Sequence, residues 1–380
     1  VTAYDVSKGK GFVSEVIRCI IHFADSSSES DTYTTILKIP GMESMEAINE
    51  NVKTKFPIHD EKFAKKLSDC HQTEIDFYEH LAKTLDVPIP RVFKTLPWKI
   101  GEAEGLLQME DMTGKGKPLN IGEAINIPQI KEVTRYLVHM HRMALTSKDE
   151  EFNFWKGKHN DNQLCFVSLC NMFADPEPFL EICGDKDYFK SAIEKYHKFG
   201  TNREYIIYAF TQSWKDLNMV PVIVHGDLHS GNIMWKLDEH DETTNQVSAF
   251  FDWQLCQEGS PMADIARIIS LCTDGWVRRQ AEEFICEFYL DELEKEMKKV
   301  GKSCPYTIDQ IKKSYNYMYL TQAYGMIIFP AFLKSIFTED SPGLGNARVD
   351  AAILRCRHAF EDIDRLLNGE MKHVYEKFGQ

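Results

Sequence analysis

A chain of 380 residues is longer than one small core can serve, so two compact units are expected. Its 43% hydrophobic, 12% aromatic and 27% charged residues exclude a largely disordered chain, and its net charge of −14 excludes a sequence-independent grip on nucleic acid. The 10 scattered cysteines without a Cys-x-x-Cys pair, the lack of an apolar run long enough for a membrane span, the lack of a secretory-type opening and the lack of an Asn-x-Ser/Thr acceptor lead to the expectation of a cytoplasmic protein with reduced thiols.

The first predicted elements form an antiparallel hairpin from about Phe12 to Ile39, with a polar turn at Ser26 to Asp31 and a stop at Pro40. Ahead of it, Gly9-Lys10-Gly11-Phe12-Val13-Ser14 is a glycine-containing turn whose backbone amides suit phosphate, which makes Gly9, Gly11 and Ser14 candidate nucleotide contacts. Lys38 is a lone cation among apolar neighbours on the second strand. It faces either solvent, on the alternate spacing, or a nucleotide.

Residues 60 to 85 switch to helical spacing through Phe63, Leu67, Ile75, Tyr78, Leu81 and Leu85, and Val87-Pro88-Ile89-Pro90 stops the helix. Glu74 on this helix is the preferred partner for Lys38, with Glu79 as the competitor. Such a pair aims an ammonium at nucleotide phosphates. Strands follow at Arg91 to Leu96 and Gly105 to Met109, and Leu106 to Asp111 is where an adenine would bond to backbone. Met109 and Glu110 are therefore candidate nucleotide contacts, or simply a strand end. Residues 112 to 119 have turn composition and read as a linker between units 1–111 and 120–380. Beyond it, helices are expected at about 123 to 145, 176 to 200, 203 to 217, 262 to 272, 276 to 300, 307 to 338 and 348 to 376, with a strand-rich island at 221 to 254.

That island holds the chemistry. Val222-Ile223-Val224 runs into His225-Gly226-Asp227-Leu228-His229-Ser230-Gly231-Asn232, and apolar Ile233-Met234-Trp235 follows. Phosphoryl transfer needs a carboxylate at the attacking hydroxyl and an oxygen nearby for Mg²⁺, and protein kinases space these as D-x-x-x-x-N. Asp227 and Asn232 have that spacing. After a polar turn at Asp238 to Gln246, a second strand returns to Phe251-Asp252, which would bring Asp252 beside Asn232 as a second metal ligand. His225 reads as a brace for the loop, and His229 as either brace or proton carrier. A lone Asp or His in a loop is most often a turn former; here three residues and the strand order agree.

His225 to Asn232 together with Phe251-Asp252-Trp253-Gln254 resembles the signature of the aminoglycoside-phosphotransferase and choline-kinase superfamily, and within it the ecdysteroid-kinase-like (CHK) family. The resemblance extends to Gly9 to Ser14, Lys38, Thr73 to Tyr78, Leu107 to Asp111 and Ser260 to Ala266. It implies an α+β, two-lobed protein-kinase-like fold with an antiparallel-sheet N-lobe containing one helix and a mainly helical C-lobe. It also implies ATP and Mg²⁺ as cofactors and a small-molecule hydroxyl as acceptor, whether sterol-like, choline-like or a glycoside. By the same resemblance Asp227 is the catalytic base, Asn232 and Asp252 hold Mg²⁺, Lys38 and Glu74 orient ATP, and Asp264 braces the loop from the next helix. The glycine turn lacks a third glycine, and Ser14 is the substitute donor.

Protein kinases carry Arg where this chain has Gly226 and Gly where it has Trp253, and no Ala-Pro-Glu follows, which disfavours a phosphorylation-gated protein kinase. The aromatic stretch from Tyr306 to Phe337 either lines an acceptor cleft or packs as core. The rival class is a pseudokinase that binds nucleotide or a partner protein without turnover.

Overall fold

The computed structural model describes residues 1–6, 14–25, 28, 31–42, 46, 60–119, 122–147, 150–162, 167, 174–337 and 342–380. Gly9 and Gly11 lie outside the described residues.

The N-terminal strands are β1 (Thr2–Asp5), β2 (Ser14–His22) and β3 (Thr32–Pro40), each β-branched or apolar on one face. They are followed by α1 (Glu61–Asp76), whose N-cap Asp60 accepts from the Lys62 amide at 2.9 Å. A π-turn (Phe77–Leu81) and a last helical turn (Ala82–Leu85) prolong α1. Asp86 then takes a left-handed conformation at φ 50°, and the prolines at 88 and 90 prevent continuation. Strands β4 (Val92–Leu96) and β5 (Leu106–Glu110) complete an antiparallel sheet in the order β1-β2-β3-β5-β4. The expected hairpin and both following strands are present.

A short strand β6 (Lys117–Pro118) lies within the expected linker and pairs with Trp235 and Met234. Gly116 makes that approach possible, since a Cβ there would sit 2.6 Å from the Trp235 carbonyl oxygen. Turn composition alone does not reveal the contact.

Helices α2 (Ile127–Thr146), α3 (Glu150–Trp155), α4 (Glu177–Leu180), α5 (Lys186–Gly200), α6 (Arg203–Thr211) and α7 (Ser213–Asp216) follow. Then come β7 (Val222–Val224), β8 (Ile233–Leu237), β9 (Thr243–Phe250) and β10 (Gln257–Gly259). The last helices are α8 (Ala263–Cys272), α9 (Gly275–Glu282), α10 (Ile285–Lys299), α11 (Ile308–Ala323), α12 (Ile328–Phe337), α13 (Pro342–Asn368) and α14 (Lys372–Phe378). The single helices expected at 176 to 200, 203 to 217, 276 to 300 and 307 to 338 are each divided; the last is split by a 3₁₀ turn at Tyr324–Ile327. Apolar spacing by itself does not mark such breaks.

The large core is helical. Tyr315, Tyr317, Tyr319 and Tyr324 are all buried in it, so the aromatic stretch serves packing there. Helix α8 is buried nearly all round, which is how it can sit beneath the loop that follows β7. No helix among the described residues is long and apolar enough to cross a membrane. The 8 described free cysteines are buried except Cys304, which is half-buried.

Candidate active site

The loop between β7 and β8 is tied down at both ends. The Asp264 carboxylate, fully buried at the start of α8, accepts from the amides of His225 at 2.7 Å and Gly226 at 2.9 Å. Burial pushes its pKa up while those loop amides oppose the rise. Gly226 has φ 83°, and a Cβ there would lie 2.2 Å from the Leu255 carbonyl oxygen, so only glycine fits. The His225 ring Nε2–H donates to the Phe251 carbonyl at 2.7 Å, and its Nδ1 accepts from the Asp227 amide at 3.3 Å. One neutral tautomer serves both bonds. His229 takes a similar part: its Nδ1 accepts from the Gly231 amide at 3.1 Å, and burial lowers its pKa.

These bonds carry Asp227 out of the loop. Asn232 donates through Nδ2 to the Asp227 carbonyl at 2.9 Å, which leaves its Oδ1 as the atom for a cation. The hairpin of β8 and β9 pairs Ile233 with Phe250, and the Phe251 amide reaches the Asn232 carbonyl at 3.0 Å. Asp252 thereby comes back to Asn232, as the strand order requires. It sits at φ 64° and ψ 59°, an unusual conformation for a non-glycine residue and one that concentrates at functional sites.

Trp253 explains how that conformation is held. Its ring stacks on Phe77 of the π-turn with centroids 3.9 Å apart and planes 7° apart, and it lies 4.5 Å from the His225 ring. In protein kinases a glycine occupies this place; here a buried aromatic clamps the Asp252 backbone against α1.

Lys38 meets the same carboxylate. Strand pairing sets Lys38 opposite Val16 and Leu107, and its ammonium lies 2.5 Å from Asp252 Oδ1 and 2.6 Å from Glu74 Oε2. Glu79, the competing partner, is exposed and accepts from the Thr95 hydroxyl instead, at 2.5 Å. Burial works against the Lys38 charge, but Asp252 and Glu74 outweigh it and hold its pKa above the usual value. Burial pushes Glu74 up despite Lys38, whereas at Asp252 the lysine outweighs burial and holds the carboxyl down. One cation thus stands between two carboxyl groups.

Ser14 is buried at the start of β2, opposite Pro40. Met109 pairs with Ile36 in β5, and its carbonyl accepts from the Thr35 hydroxyl at 2.9 Å. Glu110 turns its carboxylate to the Arg91 amide and to Lys115, so its side chain supports the strand end.

Sequence reasoning missed Arg267. From α8 it forms an ion pair with Asp227 Oδ1 through Nη2, while Nη1 donates to Gln322 Oε1 on α11 at 3.0 Å. The available signal was one arginine in the apolar run Ile265 to Leu271, three residues after Asp264. A second missed feature is a clamp on α1. Lys158 and His159 reach Asp76 at 2.7 and 3.1 Å, and His159 also meets the Thr73 hydroxyl at 3.0 Å. Although burial opposes it, these contacts hold the Asp76 carboxyl down at about 2. Thr73 adjoins Glu74, so the clamp fixes the helix turn that faces Lys38.

Asn232 and Asp252 supply hard oxygen donors of the type Mg²⁺ takes, one amide and one carboxylate. No group of three or more His, Cys, Asp or Glu side chains that could hold a metal is formed among the described residues. The pair therefore fits a cation that completes its shell with phosphate oxygens and water. The excess carboxyl around Lys38 favours that cation further.

Comparison with known proteins agrees with this architecture. The family model DUF1679, described as "Uncharacterized oxidoreductase dhs-27", matches residues 1–364. Uncharacterized oxidoreductase dhs-27 of Caenorhabditis elegans is 23% identical over 317 residues, covering 82% of this chain but only 37% of the relative. Uncharacterized kinase-like protein D1044.1 of the same organism is 21% identical over 340 residues, covering 83% of this chain and 78% of the relative. The solved structure of choline kinase from Cryptosporidium parvum superposes with a TM-score of 0.50 at 12% identity, covering 97% of this chain and 91% of that one. The fold is kinase-like, as the resemblance implied, and the chain belongs to the DUF1679 family.

Proposed function

We propose that this member of the DUF1679 family is an ATP- and Mg²⁺-dependent kinase that transfers the γ-phosphate to a hydroxyl of a small molecule. One observation carries the reading: Asp227, Asn232, Asp252 and the Lys38–Glu74 pair, drawn from separate parts of the chain, converge on a single braced loop. Each has the chemistry that phosphoryl transfer requires at its position.

In this reading Lys38 leaves Asp252 for the α- and β-phosphates and stays aligned by Glu74. Asn232 and Asp252 would hold Mg²⁺, which would supply charge neutralisation at the phosphates. Asp227 Oδ2 accepts the proton of the attacking hydroxyl as its oxygen bonds to phosphorus and the bond to the ADP oxygen breaks. The ion pair at Oδ1 and the Asn232 bond to its backbone fix the carboxylate in that orientation. Use of ATP suits a cytoplasmic location.

The word oxidoreductase in the relative's name belongs to a protein of which this chain's match spans 37%. Strand pairs among the described residues are antiparallel throughout, without the parallel βαβ units that bind dinucleotides. The pseudokinase alternative gives no reason for Asp227, Asn232, Asp252 and Lys38 to stand together.

The test is nucleotide turnover. Mg²⁺-ATP should raise the melting temperature of wild type and of Asp227→Asn alike, while the substitution removes at least about 100-fold of ATP turnover. Equal turnover by the two proteins would defeat the enzyme reading.

A further inference from the structure

The surroundings of Asp227 bear on the charge of the acceptor, an inference that rests on the kinase reading above. Arg267 and Asp227 side chains are mostly buried, at 15% and 16% exposure. A guanidinium keeps its charge at any working pH. Asp227 and, through space, the buried Asp264 face that charge, while the neutral amide of Gln322 anchors the guanidinium's other end. Each carboxylate that touches the loop is already committed: Asp227 to Arg267, Asp252 to Lys38 or, once Lys38 turns to the phosphates, to the cation it would hold, and Asp264 to two loop amides. An amino alcohol with its hydroxyl on Asp227 would set a second cation beside Arg267 and find none of these carboxylates unengaged. Like charges brought together in a partly desolvated site are a strong means of rejection.

We propose that Arg267 is a positioning and specificity-determining residue. It fixes Asp227 through Oδ1, leaving Oδ2 for the hydroxyl, and it excludes acceptors with a positive charge next to that hydroxyl. The alcohol phosphorylated by this protein is then uncharged or acidic on that side, unlike choline or an aminoglycoside.

The full chain can be assayed with Mg²⁺-ATP and three open-chain polyols that differ mainly in charge: sorbitol, gluconate and N-methylglucamine. Phosphorylated product and ADP are both measured. Wild type should use N-methylglucamine at least about tenfold less well than sorbitol or gluconate in kcat/KM. Arg267→Glu should reverse the ranking, and Arg267→Lys should restore it, neither of which a purely structural arginine would produce. Arg267→Met should lower transfer of phosphate to any acceptor, water included, by about 10- to 100-fold with the KM for ATP unchanged. That arm decides the positioning role even when none of the polyols is phosphorylated. Preference of wild type for N-methylglucamine, or wild-type hydrolysis by Arg267→Met, overturns the proposal. A wild type inert toward ATP in every arm overturns the kinase reading itself.

Discussion

Lys38, Glu74 and Asp252 come from a strand, a helix and a hairpin end, and they gather two carboxyl groups around one ammonium. Asp227, Arg267 and Gln322 come from a loop and two helices of the C-terminal core, and they pair one carboxylate with one guanidinium. The first cluster has negative charge to spare, which suits a divalent cation and its phosphates. The second pairs its one carboxylate with one guanidinium and so has no carboxylate to spare for another cation. The same two chemical types, carboxylate and basic side chain, thus leave the first cluster with a surplus carboxyl and the second with none, by count alone.

Lys38→Met should break this comparison most severely. It leaves Glu74 and Asp252 facing each other without a cation, and removing one partner from a buried ion pair costs about 3 to 5 kcal/mol. Chemical denaturation should show that loss, and Mg²⁺-ATP should no longer raise the melting temperature.

Gly226→Ala comes next. It combines a positive φ with a Cβ pressed on the Leu255 carbonyl, for about 2 to 3 kcal/mol. Because Asp264 still holds the neighbouring amides, the strain should fall on Asp227 and reduce turnover more than nucleotide binding. A variant with wild-type kcat would show that the loop tolerates another path.

A smaller effect should follow pH. Burial lowers His71 to about 4 and His141 to about 3, from an unfolded value of 6.5. The unfolded chain therefore binds more protons between about 6.5 and 4, so the stability due to the neutral rings is full above 6.5 and falls on acidification. About 2 kcal/mol per ring is expected to be lost by pH 5. His71 sits on α1 with its Nε2 on the Leu96 carbonyl at 2.9 Å, so His71→Gln should flatten the dependence of melting temperature on pH. An unchanged slope would exclude that ring as its source.

The mildest change expected is Glu79→Gln. Glu79 is exposed and meets only Thr95 in the described contacts, so stability should move by less than about 0.5 kcal/mol and turnover should not move. Glu74→Gln, one turn and a half earlier, should by contrast impair ATP-dependent turnover. Similar effects at both positions would mean that the helix faces Lys38 differently.

The loop and its hairpin were legible because their signals are local. Asp227 and Asn232 are five residues apart, and the return from Ile233 to Asp252 is one strand, one turn and another strand. Strand and helix of the N-terminal part were equally readable from the alternation in β2 and β3 and the helical spacing that begins at Phe63. The short strands β6 and β10 were not, since two or three residues carry no period and these, unlike Val222–Val224 in β7, form no apolar run. Nor was the Trp253–Phe77 stack, whose partners are far apart in the chain.

Residue order by itself determined which groups are candidates for the proposed phosphoryl chemistry, because spacing within one loop and one hairpin limits where they can go. Tertiary packing alone decided that Glu74 and not Glu79 faces Lys38, and that Arg267 meets Asp227. The rotation of α1 is set by the face it buries, and Arg267 is placed by the docking of α8 under the loop and against α11, across 40 residues of chain.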